Sequence, residues 1–115
     1  MEMFEKALKE ISKEYSVRRI SQTYAQIDFD ELFDPYNFIF IGILYEDNKV
    51  ILTDFADYAQ LCPWEDEDIP TLEKICQKYG VSFHNYHIEC LYQNNEDIKN
   101  YYRCLLELRE KYAKK

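Results

Sequence analysis

Asn37-Phe38-Ile39-Phe40-Ile41-Gly42-Ile43-Leu44-Tyr45, followed by Glu46-Asp47-Asn48-Lys49 and Val50-Ile51-Leu52-Thr53, is the stretch that decides the fold. After Asn37, residues 38–45 are apolar on both parities and rich in β-branched and aromatic side chains. That composition suits a central strand covered on both sides. Asp47-Asn48 supplies a two-residue turn, because Asp and Asn tolerate positive φ. Glu46 and Lys49 then stand opposite each other as a charge pair, and residues 50–53 return antiparallel. A hairpin over residues 37–53 is therefore expected at the middle of a sheet.

Working outward toward the N-terminus, Ala25, Ile27 and Phe29 alternate with Gln26 and Asp28, as on a strand with one dry face. Arg18, Arg19 and Ile20 fit either an earlier strand or an extended connection. Residues 30–35 read as a loop ending at Asp34-Pro35, since proline pushes the preceding residue out of helical space. Before them, Phe4, Leu8, Ile11 and Tyr15 recur at helical spacing and predict an amphipathic helix over 2–15.

Toward the C-terminus, residues 54–61 read as a short helix capped by Thr53 or Asp54. Residues 62–68 read as an acidic loop around Pro63-Trp64. A helix follows over 69–79, with Asp68 as N-cap and Gly80 as its stop. Residues 81–92 read as one strand. Asn94 opens a last helix ending near Tyr112, with Asp97 three residues on as its capping-box partner. With most strands in one block, the expected fold class is α+β: a single domain over 1–115, an antiparallel sheet with a central hairpin, and helices mainly on one face.

The stretch from Asn37 onward resembles a bacterial family known only as a domain of unknown function, numbered eighteen twenty-eight. The likeness rests on residues 38–45, on Asp47-Asn48, on Ile51-Leu52-Thr53-Asp54, and on the helices over 69–80 and 98–112. That family tends to follow the motif's Asp with Asp-Gly, where this chain has Phe55-Ala56. The resemblance implies a fold and supplies no activity.

Composition bounds the chemistry. The chain has 115 residues, 47% of them hydrophobic and 17% aromatic, with 11 tyrosines and one tryptophan, enough for a core without metal or disulfide staples. Cys62, Cys76, Cys90 and Cys104 form no Cys-x-x-Cys pair and read as small buried thiols in a reducing compartment. No export signal is visible and the longest apolar run is too short for a bilayer, so a cytoplasmic location and no membrane contact are expected. Gly42 and Gly80 are isolated, which excludes phosphate-binding loops.

Four sets of residues invite a chemical reading and are outweighed by a plainer one. His84, His87 and Cys90 lie on a segment read as one strand, where alternation turns His87 away from the other two. Asp47-Asn48-Lys49, with Asp34 or Asp54, resembles the acid-x-Lys fragment of metal-dependent nucleases, but it occupies a hairpin tip. Asp28, Asp30, Glu31 and Asp34 lack the spacing and glycine of a calcium loop. A Cys–His nucleophile pair from Cys62, Cys76 or Cys104 with His84 has no support in spacing. No catalytic residue, metal site or cofactor is therefore expected, with a nuclease-like enzyme as the alternative.

Charge is the unusual feature. Net charge is −8, yet residues 28–68 hold 12 carboxylates and one base, a segment of −11, while the rest of the chain is +3. Direct nucleic-acid binding is disfavoured by that negative middle. A protein partner is expected instead, its basic groove normally holding nucleic acid, as with inhibitors or antitoxins that imitate phosphate charge. The expected contact residues are Asp28, Asp30, Glu31, Asp34, Asp54, Asp57, Glu65, Asp66, Glu67 and Asp68, with Trp64 as apolar anchor. A scaffold domain binding through a flat aromatic surface is the competing reading.

Overall fold

The computed structural model describes residues 2–62 and 64–113; Pro63, on which the acidic-loop reading centres, lies outside them. Helix α1 (Glu2–Ser12) leads into strands β1 (Val17–Arg19), β2 (Tyr24–Asp34), β3 (Asn37–Glu46) and β4 (Lys49–Thr53). Helix α2 (Asp57–Leu61), a 3₁₀ turn (Asp66–Asp68) and helix α3 (Ile69–Lys78) follow. Strands β5 (Ser82–His84) and β6 (His87–Leu91) and helix α4 (Asn95–Tyr112) complete the chain. The six strands form one antiparallel sheet in the order β1-β2-β3-β4-β6-β5. The fold class is α+β, and the expected hairpin holds its two central positions.

The turn of that hairpin is as its residue types require. Asp47 and Asn48 adopt φ of 52° and 59°, and Glu46 faces Lys49 in register. Helix α4 starts at the expected place: the Asn94 side chain accepts from Glu96 N–H, and the Asp97 carboxylate accepts from Asn94 N–H at 3.1 Å. The Asp68 cap is displaced by one turn. Its carboxylate accepts from Glu65 N–H at 2.9 Å and so closes the 3₁₀ turn ahead of α3 rather than α3 itself. Gly80, at φ 72°, ends α3.

Two strand boundaries differ from the sequence expectation. Residues 30–34 are not loop but the end of β2, which reaches Asp34 through two irregularities in its pairing with β3. These bulges absorb extra residues, and they break the period-2 pattern that would have marked a strand. Residues 81–92 are not one strand but a hairpin, turning at Asn85 and Tyr86 with φ of 49° and 64°. No glycine announces that turn.

One core lies between the sheet and helices α1, α3 and α4. Phe4, Leu8 and Ile11 from α1, and Ile98, Tyr101, Leu105 and Leu108 from α4, meet Ala25, Ile27, Ile41, Ile43 and Leu52 of the sheet. The Tyr101 hydroxyl, fully buried, donates to the carbonyl of Ile88. The second face of β3 carries no long helix, so the strand is not covered on both sides as its composition implied. Two of its apolar residues there are covered by other means, while Phe38 stays exposed. Phe40 stacks on Tyr58 of α2 at 5.0 Å, and Leu44 sits in a cross-strand row, Tyr24–Leu44–Ile51–Leu91. No described helix is long and apolar enough to cross a membrane.

Gly42 lies under that row. A Cβ there would stand 2.6 Å from the Thr53 carbonyl oxygen and 2.6 Å from the Tyr24 hydroxyl. Tyr24 can swing aside, but the carbonyl belongs to the neighbouring strand and cannot. Gly42→Ala should therefore cost about 1–3 kcal/mol of stability. Urea unfolding should show a lower midpoint with an unchanged slope.

Candidate functional site

Strand directions decide where the acidic residues collect. The β2–β3 turn at Pro35-Tyr36, the exit from β4 at Thr53 and the β5–β6 turn at Asn85-Tyr86 lie at one end of the antiparallel sheet. The Asp47-Asn48 turn lies at the other. Helix α2 and the 3₁₀ turn sit at the first end, where the Tyr86 hydroxyl donates to Asp66 at 3.3 Å. The C-terminal turn of α4 joins them through Arg109, which donates to Glu31 at 2.6 Å and to the Leu32 carbonyl at 3.0 Å. Asp30, Glu31, Asp34, Asp54, Asp57 and the Glu65–Asp68 run therefore share one end of the molecule, while Glu46 and Asp47 do not.

They are not equally available. Asp54 is fully buried at the junction of β4 and α2, and its carboxylate accepts three backbone N–H bonds: from Ala56 at 3.0 Å, Tyr58 at 3.2 Å and Ile88 at 2.9 Å. Burial raises its pKa, and the three amides oppose that rise. Asp34 is buried as well; it accepts from the Tyr36 N–H at 2.8 Å and from the Asn37 side-chain amide at 2.9 Å, fixing the β2–β3 turn. Both residues belong to the frame, not to a contact surface. Asp28 is exposed but paired with Arg18 at 3.0 Å and hydrogen-bonded by Gln26 at 2.8 Å. The Arg18 hydrogen bond holds its carboxyl below the usual range.

Trp64 is an internal prop. Its ring is half-buried, edge-on to Phe83 and Tyr112, and its indole N–H has no partner among the described residues. The exposed apolar groups at this end include Tyr36 at 89% exposure, Phe38 at 58%, and Leu32, the register partner of Phe38, beside Phe55 and Tyr86. Sequence reading missed them because residues 30–35 read as loop and Phe38 as core. The available acids are Asp30, Asp57, Glu65, Asp66 and Glu67, with Asp68 half-buried. The bases here are few. Arg109 is held by Glu31, and Lys111 lies 6.0 Å from the Tyr112 ring.

Between α2 and the start of β3 runs an open groove of about 210 Å³, lined by Asn37, Phe38, Phe40, Asp57, Gln60 and Leu61. It exists because β4 pairs with β3 only as far as Gly42. Beyond that point the Tyr58 hydroxyl takes the missing strand's place, accepting from Phe40 N–H at 2.9 Å and donating to the Phe40 carbonyl at 2.7 Å.

The candidate chemistries are placed as follows. His84 and His87 face each other across the β5–β6 turn, and His87 lies 3.4 Å from Glu89, whereas Cys90 pairs with Leu52 on the core face. The alternation argument that separated the two histidines fails at the hairpin; the separation of Cys90 from them has a different cause, the opposite face. No group of three or more His, Cys, Asp or Glu placed to hold a metal occurs among the described residues. Asp47 and Lys49 are divided from Asp54 by the length of β4, roughly 17 Å at about 3.3 Å per residue. The nuclease set is not assembled. The four cysteines are free; burial pushes the Cys62 and Cys90 thiols up to about 12, and Cys104 donates to Cys76 at 3.8 Å. None is poised as a nucleophile.

The two carboxylates Asp54 and Asp28 should titrate on opposite sides of the ordinary aspartate value. Raised in the folded state, Asp54 contributes stability that is complete below the unfolded-chain pKa and is lost as pH rises through the folded value. Lowered, Asp28 contributes stability that is present above the unfolded-chain pKa and is lost as pH falls through its folded value. Carboxyl ¹³C titration by NMR should place the Asp54 midpoint above that of Asp28; the reverse order contradicts the assignment.

Compared with models of known protein families, with curated proteins and with solved structures, the chain gives no match in any of the three.

Proposed function

We propose that this chain is a small acidic, non-enzymatic protein-interaction domain whose α2 end docks on the basic groove of a nucleic-acid-binding protein. The observation that carries the reading is the company kept at that end. Exposed Asp30, Asp57, Glu65, Asp66 and Glu67 share this end of the sheet with the exposed apolar groups Tyr36, Phe38 and Leu32. A carboxylate array speeds encounter with a basic surface, and apolar anchors hold the encounter complex. Trp64 has no part in this contact. The family resemblance through Leu52-Thr53-Asp54 belongs to the same proposal, and it implies a fold with no activity attached. A competing reading, a metal-dependent nuclease, lacks an assembled set of groups.

Salt is the direct test. The chain, immobilised, should retain nucleic-acid-binding proteins from a bacterial lysate at low ionic strength and release them as salt shortens the screening length to well under ~10 Å. Duplex DNA or RNA should compete with that retention. The Glu65→Lys, Asp66→Lys, Glu67→Lys triple variant should lose it while remaining folded, with a lowered melting temperature because Glu65 caps the 3₁₀ turn and Asp66 accepts from Tyr86. Retention that persists in the triple variant, or that nucleic acid does not displace, overturns the reading.

A further inference from the structure

The groove between α2 and β3 has the makings of a side-chain slot. Asp57 forms one wall, and among the described residues its carboxylate has no ion pair and no hydrogen bond. Burial alone shifts its pKa, upward. A carboxylate partly withdrawn from water with nothing to compensate it is a place where an added cation gains most. Phe38 forms the opposite wall, 58% exposed and without a ring partner among the described residues. Phe40 lies beside it, held against Tyr58. The Asn37 side chain spends its N–H on both Asp34 oxygens, at 2.9 and 3.1 Å, which leaves its Oδ1 as an acceptor. Gln60 adds a second amide.

We infer that this groove receives an arginine side chain of the protein partner, the guanidinium lying against Phe38 and forking to Asp57. The inference rests on the interaction reading above and adds to it a named slot and a preferred residue. A planar, weakly hydrated guanidinium satisfies both walls at once: it stacks on a ring face while its N–H fork meets a carboxylate. A lysine ammonium, compact and strongly hydrated, gains little from the ring in so open a groove. The neutral acceptors Asn37 Oδ1 and the Gln60 amide suit the guanidinium's remaining N–H groups.

The test uses N-acetyl-arginine methylamide as probe, with the lysine and norleucine analogues alongside, read by amide chemical shifts of the ¹⁵N-labelled chain. The arginine probe should produce saturable shifts confined to residues 37–40 and 57–61, with nuclear Overhauser contacts to the Phe38 ring. The lysine analogue should bind more weakly and the norleucine analogue not at all. Asp57→Asn, isosteric and exposed, should weaken the arginine probe about tenfold, and Phe38→Ala should do so too while Phe38→Tyr retains binding. Shifts scattered over all the acidic residues, equal response to lysine, or indifference to Asp57→Asn would overturn the slot. The two proposals fail separately. If Asp57→Asn leaves capture of basic proteins intact while the Glu65–Glu67 reversal abolishes it, the slot is wrong and the interaction reading stands. If the arginine probe seats as described and no basic protein is captured, the slot stands and the interaction reading is wrong.

Discussion

The Asp54 carboxylate, with no solvent exposure, gathers backbone N–H groups from two separated segments: Ala56 and Tyr58 at the start of α2, and Ile88 in β6. Neutralisation by amides is a demanding solution, because each bond has to be made in a place that water does not reach. It fixes where β4 stops, how α2 leaves it and how β6 lies alongside. The backbone around it is strained accordingly. Phe55, Ala56, Asn85 and Tyr86 all adopt positive φ, four of the six non-glycine residues to do so among those described. Such conformations cost about 1–3 kcal/mol each and persist only where the surroundings over-determine them. Both strained pairs flank the amides that Asp54 accepts, so one carboxylate holds two tight turns.

From that anchor the remaining features of this end follow in order. Because α2 leaves β4 at Thr53, the first half of β3 has no strand on that side. Tyr58, fixed by its own N–H bond to Asp54, is placed to offer its hydroxyl to both polar groups of Phe40. An exposed strand edge is ordinarily a site of unwanted pairing. Here a side chain blocks it at one residue and leaves a groove, not a second ladder, beside Asn37 and Phe38.

Much of the scaffold was legible in the chain because local and global preferences agree there. The Asp47-Asn48 turn, the apolar run before it and the Asn94–Asp97 capping pair each say one thing, and the fold says the same. What was not legible is where they disagree. Asn85-Tyr86 turns without glycine, beside an Ile88 N–H held by a buried carboxylate 34 residues earlier in sequence. Residues 30–34 carry three acids and two bulges, so neither composition nor period marks them as strand. Asp34 and Asp54 look like surface charge in a segment of −11, and only tertiary structure shows that both are spent on backbone N–H groups. Trp64 and Phe38 exchanged roles for a related reason: the one large ring in an acidic loop folds inward, and one ring of the apolar strand faces out where β4 has ended.

The choice of amides over a cation at Asp54 has a further consequence for the surface above it. A buried aspartate paired with arginine would have placed a fixed positive charge at this end of the sheet. The structure holds Arg109 there, but against Glu31, on the far side of the β2–β3 turn. Asp57, the first residue of α2, whose charge adds to burial in raising the pKa of Tyr24, is left without a counter-charge among the described residues. The same economy leaves Glu65, Asp66 and Glu67 without a basic side chain against them among the described residues: the Glu65 carboxylate accepts from the backbone of Asp68 and Asp66 from the Tyr86 hydroxyl. Mutual repulsion among such groups is tolerated because the frame beneath them is rigid and because water screens them while they remain exposed. A cation that displaced that water would be attracted by every one of these carboxylates together, because the low-dielectric contact would remove the screening that keeps them apart.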